Sequence, residues 1–382
     1  MNRFALAGLI LSVLAGTAAA QNAAPYGGNP LAAPSSSRVI LKGMSSSEPV
    51  IPAAAASYVA GTTKPQEAKE GTTELATCDK CGQAWTDCCC DACCGWTVFG
   101  EWMYLQPRGS DPVFATRALN CFNPPTGVEQ FDLGASDSYR AGIYKQCGAC
   151  SDIGATFWMF ESHENERAAP TIGTDVIFPA LLFPTIANVG PGCNDATSTR
   201  ALARHDIDFD RISIDYRSRF ECNCIEFDWL VGFGYGKLDQ ELLVLYDEGF
   251  VKVDSDLHGY GVRLGGGATY SLGCLRGYVH SDLTLLAANM RARYRNVDTF
   301  DGEIADYKQD LDRIVPVLDL EVGFAYDVCC GVTLKAGYIY SIWWNVVTTP
   351  SFAEDVIKGD ITGNAGDVLS FDGVFARIEI NF

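Results

Sequence analysis

The last nine residues, Val374–Phe375–Ala376–Arg377–Ile378–Glu379–Ile380–Asn381–Phe382, alternate between two kinds of side chain. The even-numbered positions are all apolar, and the odd-numbered positions carry Phe375, Arg377, Glu379 and Asn381. A period of two with one apolar face and one largely polar face indicates a β-strand. By itself such a strand fits either the edge of a soluble sandwich or the wall of a membrane barrel, and the rest of the chain decides between them.

Nine segments upstream repeat this alternation, which predicts ten strands in all. They lie at about residues 96–104, 139–143, 153–159, 206–219, 226–236, 260–270, 277–295, 314–326 and 334–344. The apolar face changes parity within two of them, near Asp210–Arg211 and near Ala287–Ala288. We interpret the first change as a β-bulge, because an inserted residue exchanges the two faces of a strand.

The connections between the predicted strands alternate between short and long. Tight turns are predicted at Gln146–Cys150, Glu221–Cys224, Leu272–Leu275 and Val328–Gly331. Long loops are predicted at Pro107–Ser138, His163–Arg204, Leu243–Ser255, Asn296–Asp310 and Thr348–Gly366. Short turns on one side and long loops on the other are typical of outer-membrane barrels, whose short turns face the periplasm. Because a sheet in hydrocarbon must pair every backbone group, we predict an all-β fold, a closed transmembrane antiparallel up-and-down β-barrel of about ten strands.

The residues before the barrel predict export. Residues 1–20 read as a signal peptide, with Arg3, an apolar run from Phe4 to Leu14 and small residues at 18–20. Residues 21–77 are rich in Ala, Pro, Ser, Gly and Thr and predict a disordered polar leader. Residues 78–95 form a cysteine-rich segment, which we expect to lie in the periplasm as part of an amino-terminal extension, and residues 96–382 form the barrel.

The overall charge excludes one class of partner. The chain has 28 Lys and Arg residues against 47 Asp and Glu residues, a formal net charge of −19. An acidic surface repels nucleic acid, so we expect no nucleic-acid partner. The expected partners are the lipid of the outer membrane and the barrel-assembly machinery, which would engage the terminal Phe382. A homo-oligomer or disulfide-linked neighbours are also expected.

Several strand motifs resemble those of the Legionella major outer membrane protein-like, pore-forming family. They are Phe99–Gly100–Glu101–Trp102–Met103–Tyr104–Leu105–Gln106–Pro107–Arg108–Gly109–Ser110, Tyr139–Arg140–Ala141–Gly142–Ile143–Tyr144, Leu318–Asp319–Leu320–Glu321–Val322–Gly323, Leu334–Lys335–Ala336–Gly337–Tyr338, and Phe371–Asp372–Gly373 leading to Phe382. The resemblance covers roughly Trp96 to Phe382 and depends on the order of the motifs. It implies an outer-membrane β-barrel, located in the envelope of a Gram-negative-type cell, with pore activity.

Fourteen of the 16 cysteines fall on the predicted periplasmic side, where an oxidising compartment favours disulfides. The candidates are Cys78, Cys81, Cys88, Cys89, Cys90, Cys93, Cys94, Cys147, Cys150, Cys222, Cys224, Cys274, Cys329 and Cys330. One hypothesis is that they lock the leader against the rim of the barrel. The alternatives are local pairs within each turn, such as Cys147 with Cys150, and zinc held by the two C-x-x-C pairs at 78–81 and 90–93. The spacing of those pairs is short for a zinc ribbon.

The inward face predicts the function. Charged residues of both signs would line the lumen: Glu101, Asp228, Arg263, Arg313, Asp319, Glu321, Lys335, Arg377 and Glu379. Inward glycines such as Gly232, Gly265 and Gly267 would leave space beside them. We therefore expect a porin-like channel for passive diffusion of small hydrophilic solutes or ions, biased toward cations by acidic loops. The alternative is a structural, disulfide-cross-linked envelope protein in which these charges pair and plug the barrel.

Catalysis is not expected. Of the four histidines, His280 and Asp282 share the inward face, but no G-x-S-x-G motif or other recognisable nucleophile accompanies them. No loop has the spacing of a calcium-binding D-x-D-x-D-G motif. We therefore expect no enzyme activity, no cofactor and no metal site.

Overall fold

The computed structural model describes residues 95–118, 127–148, 150–169, 176–182, 198–222, 225–247, 249–300, 302–329, 331–359 and 366–382. The predicted signal peptide, the leader and the cysteine cluster at 78–94 lie outside these residues, as do Cys121 and Cys193.

Ten antiparallel strands form a closed barrel, which confirms the predicted fold class. They are β1 (Trp96–Arg108), β4 (Ser136–Gly148), β5 (Ser151–Ala168), β7 (Ala201–Cys222), β8 (Ile225–Tyr246), β9 (Gly249–Leu272), β10 (Leu275–Asp298), β11 (Gly302–Cys329), β12 (Val332–Val346) and β13 (Asp367–Asn381). The carboxyl-terminal strand β13 closes the barrel by pairing with β1, from Thr97 opposite Asn381 to Arg108 opposite Ser370. The four tight turns lie at one end, which we call the periplasmic end.

Two of the predicted long loops are wrong. The residues of Leu243–Ser255 and Asn296–Asp310 that the structure describes belong mainly to strands, because β8 and β9 continue to Tyr246 and from Gly249, and β10 and β11 continue to Asp298 and from Gly302. Strands β7 to β11 have 22 to 28 residues. A tilted membrane span needs only about 9–11. The barrel wall therefore extends well beyond the bilayer at the end opposite the short turns, which we call the outer end.

The predicted bulge at Asp210–Arg211 is also wrong, and its cause is an inversion of polarity along the strand. Register is continuous there with both neighbours of β7. Ile212 and Ile214 point outward and are 47% and 57% exposed, whereas Ile207 and Phe209 point inward and are 0% and 2% exposed. The apolar residues change sides because lipid surrounds one part of the strand and water surrounds the other.

The inversion follows the strand pairing around half of the barrel. One row of paired outward residues is mostly apolar and crosses six strands: Phe157, Ile212, Tyr235, Tyr260, Ala287 and Ile314. The next row toward the outer end is Met159, Asp210, Lys237, His258, Asn289 and Asp312. Since the apolar row belongs in hydrocarbon and the charged row in water, the membrane boundary lies between them.

The outer half of the lumen is filled by chain segments between the wall strands. A small sheet has the order β3 (Gly127–Gln130), β2 (Val113–Ala118) and β6 (Val176–Pro179). Helix α1 (Thr349–Lys358) packs against β8, β9 and β10, with Phe352, Ala353 and Val356 buried.

Both elements are anchored by hydrogen bonds to the inner wall. Tyr246 donates to the carbonyl of Phe114 over 2.8 Å, and Tyr294 donates to the carbonyl of Leu181 over 2.6 Å. Ser255 donates to the carbonyl of Val347 over 2.7 Å. Among the described residues, no helix has the length and apolar character to cross a membrane.

The inversion predicts opposite tolerance to charge at two outward leucines. Leu264 on β9 lies within the lipid-facing band, and Leu202 on β7 lies beyond the boundary; they are 53% and 38% exposed. We expect Leu264→Arg to lower the free energy of unfolding in lipid vesicles by about 2–4 kcal/mol. Leu202→Arg should change it by no more than about 0.5 kcal/mol. Guanidinium titration of both variants measures this difference, and equal costs would contradict the assigned boundary.

His205 beneath α1 predicts acid sensitivity. Its side chain is fully buried, its Nε2 lies 3.1 Å from Thr349 Oγ1, and burial lowers its pKa to about 4. The unfolded chain, with a His pKa near 6.5, takes up the proton first as the pH falls, so unfolding becomes easier. We expect a loss of about 2 kcal/mol between pH 7.5 and pH 5, measured as the shift in the unfolding free energy. His205→Gln should remove this loss and His258→Gln should not; the opposite result would assign it elsewhere.

Candidate functional site: a charged lumen

The periplasmic half of the lumen encloses a polar cavity of ≈ 270 Å³. Its lining extends from Thr97, Asn381 and Thr269 near the short turns to Trp158 and Leu286 deep in the barrel. The wall strands supply this lining through their inward-facing positions, which alternate with the lipid-facing positions. The cavity therefore lies inside the lumen, on the side of the short turns.

Two acidic residues form the centre of one ion-pair cluster. Glu101 is completely buried and accepts hydrogen bonds from Arg140 at 2.8 Å and from Arg377. Glu321 accepts from Arg140 at 2.6 Å, from Arg377 at 2.7 Å and from the hydroxyl of Tyr278 at 2.8 Å. Arg140 on β4 and Glu321 on β11 are four strands apart around the barrel, so this cluster crosses the lumen.

A second cluster surrounds Arg263. Its guanidinium donates to Asp215 at 2.6 Å and to Asp282 at 2.5 Å. The ring of His280 lies between Asp282, at 2.7 Å from Nε2, and Asp228, at 3.1 Å from Nδ1. The acidic and basic groups of this cluster are thus paired to one another along β7 to β10.

The pair of Arg211 and Asp319 lies where the charged region meets an aromatic one. Arg211 donates to Asp319 at 2.9 Å, and its guanidinium carbon lies 5.0 Å from the ring centre of Trp158 and 5.6 Å from that of Trp343. Ser341 donates to the same carboxylate at 2.7 Å. Stacking between rings allows Arg211 to keep its charge at the edge of an apolar region.

Above this pair, an aromatic layer closes the lumen. We define it as Trp158, Phe160, Phe209, Trp343 and Phe371. Phe209 on β7 and Trp343 on β12 are five strands apart in either direction, yet their ring centres are only 5.9 Å apart. Phe209 also contacts Phe371 at 4.9 Å and Phe160 at 5.3 Å. Side chains from opposite walls therefore meet at the barrel axis.

The sequence suggested that the inward glycines leave empty space in the lumen. The structure shows instead that neighbouring side chains occupy this space. A Cβ at Gly232 would overlap Asp215, and a Cβ at Gly265 would overlap Asp282. At Gly267 it would lie 2.7 Å from Asp228 Oδ2. These glycines allow carboxylates from the neighbouring strands to lie flat against the wall.

Most of the predicted lumen residues lie where the alternation placed them. The lining of the cavity includes Asp228, Arg263, Asp319, Glu321, Lys335, Arg377 and Glu379. Glu101 lies behind this lining, covered by Arg140 and Arg377. Arg313 is placed differently, because it donates to Asn345 Oδ1 at 3.2 Å, next to the β12 bulge between Trp344 and Val346 and above the aromatic layer.

Some lining residues were missed by the sequence interpretation. Tyr139 and Ala141 point outward, so the alternation of the sequence already placed Arg140 between them on the inward face. Arg211 and Arg217 were obscured by the assumed bulge in β7. Trp343 has inward parity, opposite to the outward Leu334 and Tyr338, and the structure buries it completely inside the barrel.

The described cysteines lie at the periplasmic end. Cys147 and Cys150 have free, exposed thiols, so the alternative of a local pair between these two is not found. Cys274, in the β9–β10 turn, is disulfide-bonded, and Cys222 and Cys329 end β7 and β11. The other nine candidates, Cys78 to Cys94 together with Cys224 and Cys330, lie outside the described residues, and docking of the leader stays a prediction.

Glu101 provides a test of the ion-pair cluster. Replacing it with Gln would leave two buried guanidinium groups with less compensating charge, which we expect to cost about 3–5 kcal/mol of unfolding free energy. Glu226→Gln is the matched control, since Glu226 is 37% exposed and 3.9 Å from Arg219, and should cost less than about 1 kcal/mol. Guanidinium unfolding in vesicles measures both, and a neutral Glu101→Gln would show that the cluster does not depend on this charge.

Comparisons with solved structures find matches at low sequence identity. The outer membrane protease OmpT from Escherichia coli is 9% identical with a TM-score of 0.43, over 75% of this chain and 97% of that one. The Neisserial surface protein A (NspA) is 11% identical with a TM-score of 0.30, over 75% and 97%. The toluene transporter TodX from Pseudomonas putida is 9% identical with a TM-score of 0.26, over 75% and 90%.

No curated protein matches the sequence. The family model of the Legionella pneumophila major outer membrane protein precursor matches residues 89–382, which include every strand of the barrel. The chain therefore belongs to the Legionella pneumophila major outer membrane protein family and is located in the outer membrane.

Proposed function

We propose that the protein is a porin-like channel for small hydrophilic solutes or ions, closed in the conformation described by the aromatic layer and by the chain segments that fill the outer half of the lumen. The observation that carries the proposal is the polar cavity, which extends from the periplasmic end to Trp158. Its lining contains eight Lys and Arg residues and seven Asp and Glu residues. The polar groups of such a lining can interact favourably with ions and polar solutes of either charge.

The outer and periplasmic halves of the lumen differ in polarity. This difference supports a role beyond stability for the charged residues of the periplasmic half. The outer half is filled by apolar side chains from nearly all wall strands, including Leu242, Val253 and Val317. Buried ion pairs rarely stabilise a protein more than apolar side chains of similar volume. A barrel that served only as an anchor gains nothing from charges in its lower half, so we infer that they serve a permeating solute.

The aromatic layer is the proposed gate. A hydrophobic constriction stops conduction by excluding water. Its rings belong to side chains of the wall, so rotation of Phe209 and Trp343 changes the width of the constriction. We propose transport without catalysis, in agreement with the sequence expectation that the protein is no enzyme.

Selectivity is expected to be weak. The nearly balanced lining favours neither sign strongly, whereas the formal net charge of −19 raises the concentration of cations near the protein. The predicted cation bias is therefore expected to arise outside the cavity and to decrease as salt screens the surface.

A second candidate is a structural anchor of the cell envelope. The observation that favours it is the contact of Phe209 with Trp343 at the barrel axis, which fills the cross-section. Under this alternative the paired charged side chains only occupy the lumen, and no solute passes through it.

Single-channel conductance in planar bilayers distinguishes the two candidates. We expect the wild-type protein to show rare openings and the Phe209→Ala/Trp343→Ala variant to be open for at least ten times as long, because one of the two obstructions in the lumen is removed. Phe233→Ala is the control, since it removes an aromatic ring that faces lipid and is 71% exposed. A shift of the band on unheated gels would first show that each variant has folded.

Two results would contradict the channel. Folded variants that never conduct would favour the anchor. Equal conductance of the wild type and the double variant would show that the aromatic layer does not limit passage.

A further inference from the structure

A cluster of ionisable residues lies on the outside of the barrel, apart from the lumen. Glu161 and His163 are two residues apart on β5, and they pair with Asp208 and Asp206 on β7. All four face outward, in the first two rows beyond the charged row that contains Asp210. The cluster thus lies at the outer surface, just above the lipid.

Three of these residues bring different ligand atoms together. One donor atom from each of Glu161, His163 and Asp208 lies within 4.8 Å of the other two. The ligand atoms of a tetrahedral zinc ion lie about 2.0–2.1 Å from the metal and about 3.4 Å from one another. A small movement of the side chains would therefore bring the three donor atoms to this spacing. The Glu161 side chain is 63% exposed and free to make that movement.

The fourth residue orients the imidazole. Asp206 accepts from Nδ1 of His163 over 3.0 Å, which leaves Nε2 facing Glu161 at the same distance. Arg204 donates to the second oxygen of Asp206 at 2.7 Å and so holds the carboxylate in place. A metal-binding histidine commonly has this arrangement, in which a carboxylate accepts the proton of the ring nitrogen that does not bind metal.

The surroundings of Asp208 favour a bound cation. Glu161, Asp208, Asp239 and Asp256 are directly opposite one another across β5, β7, β8 and β9. Like charges in opposing positions destabilise a sheet. The Oδ1 atom of Asp208 is buried and has no hydrogen-bond partner among the described residues. An acceptor that is both buried and unpaired is costly unless a cation or a donor satisfies it.

We propose that Glu161, His163 and Asp208 bind a divalent transition-metal ion of the zinc type, with Asp206 as the positioning residue for His163. One imidazole nitrogen and two carboxylate oxygens suit such an ion, and open positions remain toward solvent. Calcium and magnesium prefer oxygen ligands alone, so the imidazole selects against them. The ion offsets the charges of Glu161 and Asp208 and links β5 to β7. It is independent of the proposed channel, and it differs from the expectation that the chain has no metal site.

Isothermal titration of the folded full-length protein with ZnCl₂ tests the proposal. The cysteines are first blocked with N-ethylmaleimide, because thiols also bind zinc. We expect one zinc ion fewer to bind to His163→Gln, and an affinity 10–100-fold lower for Asp206→Asn. His258→Gln, which changes another outward histidine, should bind as the wild type does. Binding at pH 7.5 should weaken at pH 5.5, because protons compete for Nε2.

A second measurement locates the ion. Zinc should protect His163, and not His258, from modification by diethyl pyrocarbonate, as detected by mass spectrometry. Binding that is unchanged in His163→Gln and Asp208→Asn would overturn the proposal and leave His163 as an ion-pair bridge between Glu161 and Asp206. Displacement of zinc by an equal concentration of CaCl₂ would overturn the selection by imidazole.

Discussion

Backbone hydrogen bonding in hydrocarbon is the constraint on which the whole structure depends. Lipid offers neither donors nor acceptors, so each edge of the sheet has to be paired. The pairing of β1 with β13 satisfies the last two edges and closes the barrel. Once closed, the sheet has an inner face that no lipid touches. The sequence is free to place charges there, and it places Glu101, Arg263 and Glu321 on that face.

The membrane-embedded half of the fold could be predicted from the sequence. Strand number, the short turns and the inward direction of Asp228, Lys335 and Arg377 all follow from a period of two, because lipid demands apolar residues on one face. The outer half could not be predicted in this way. Where water replaces lipid, the apolar residues move to the inside, and Ile207 and Ile214 then occupy opposite faces of one uninterrupted strand. A pattern search that assumes one environment reads this as an inserted residue.

The candidate site could be predicted only as a list of residues. Alternation shows that Arg140 and Glu321 face inward, but it contains no information on which residues meet across the lumen. That depends on the number of strands and on their stagger, which set the distance between opposite walls. The position of Arg313 depends on a local bulge in β12 that accompanies Asn345 at a φ of 62°. The inward glycines could be recognised in the sequence. That they leave room for the side chains of Asp215 and Asp282 could be seen only once the register of the neighbouring strands was known.

The contact of Phe209 with Trp343 has an evolutionary consequence. Rings from opposite walls touch because ten strands enclose a narrow cylinder, and the diameter of a barrel grows about linearly with strand number. Duplication of a single hairpin would widen the cylinder by about a fifth and separate the two rings without any substitution. In a lineage of such barrels, gain or loss of one hairpin is therefore enough to exchange a filled interior for an open one. Copy number of a repeated unit, rather than point mutation, is then the variable on which selection for permeability acts.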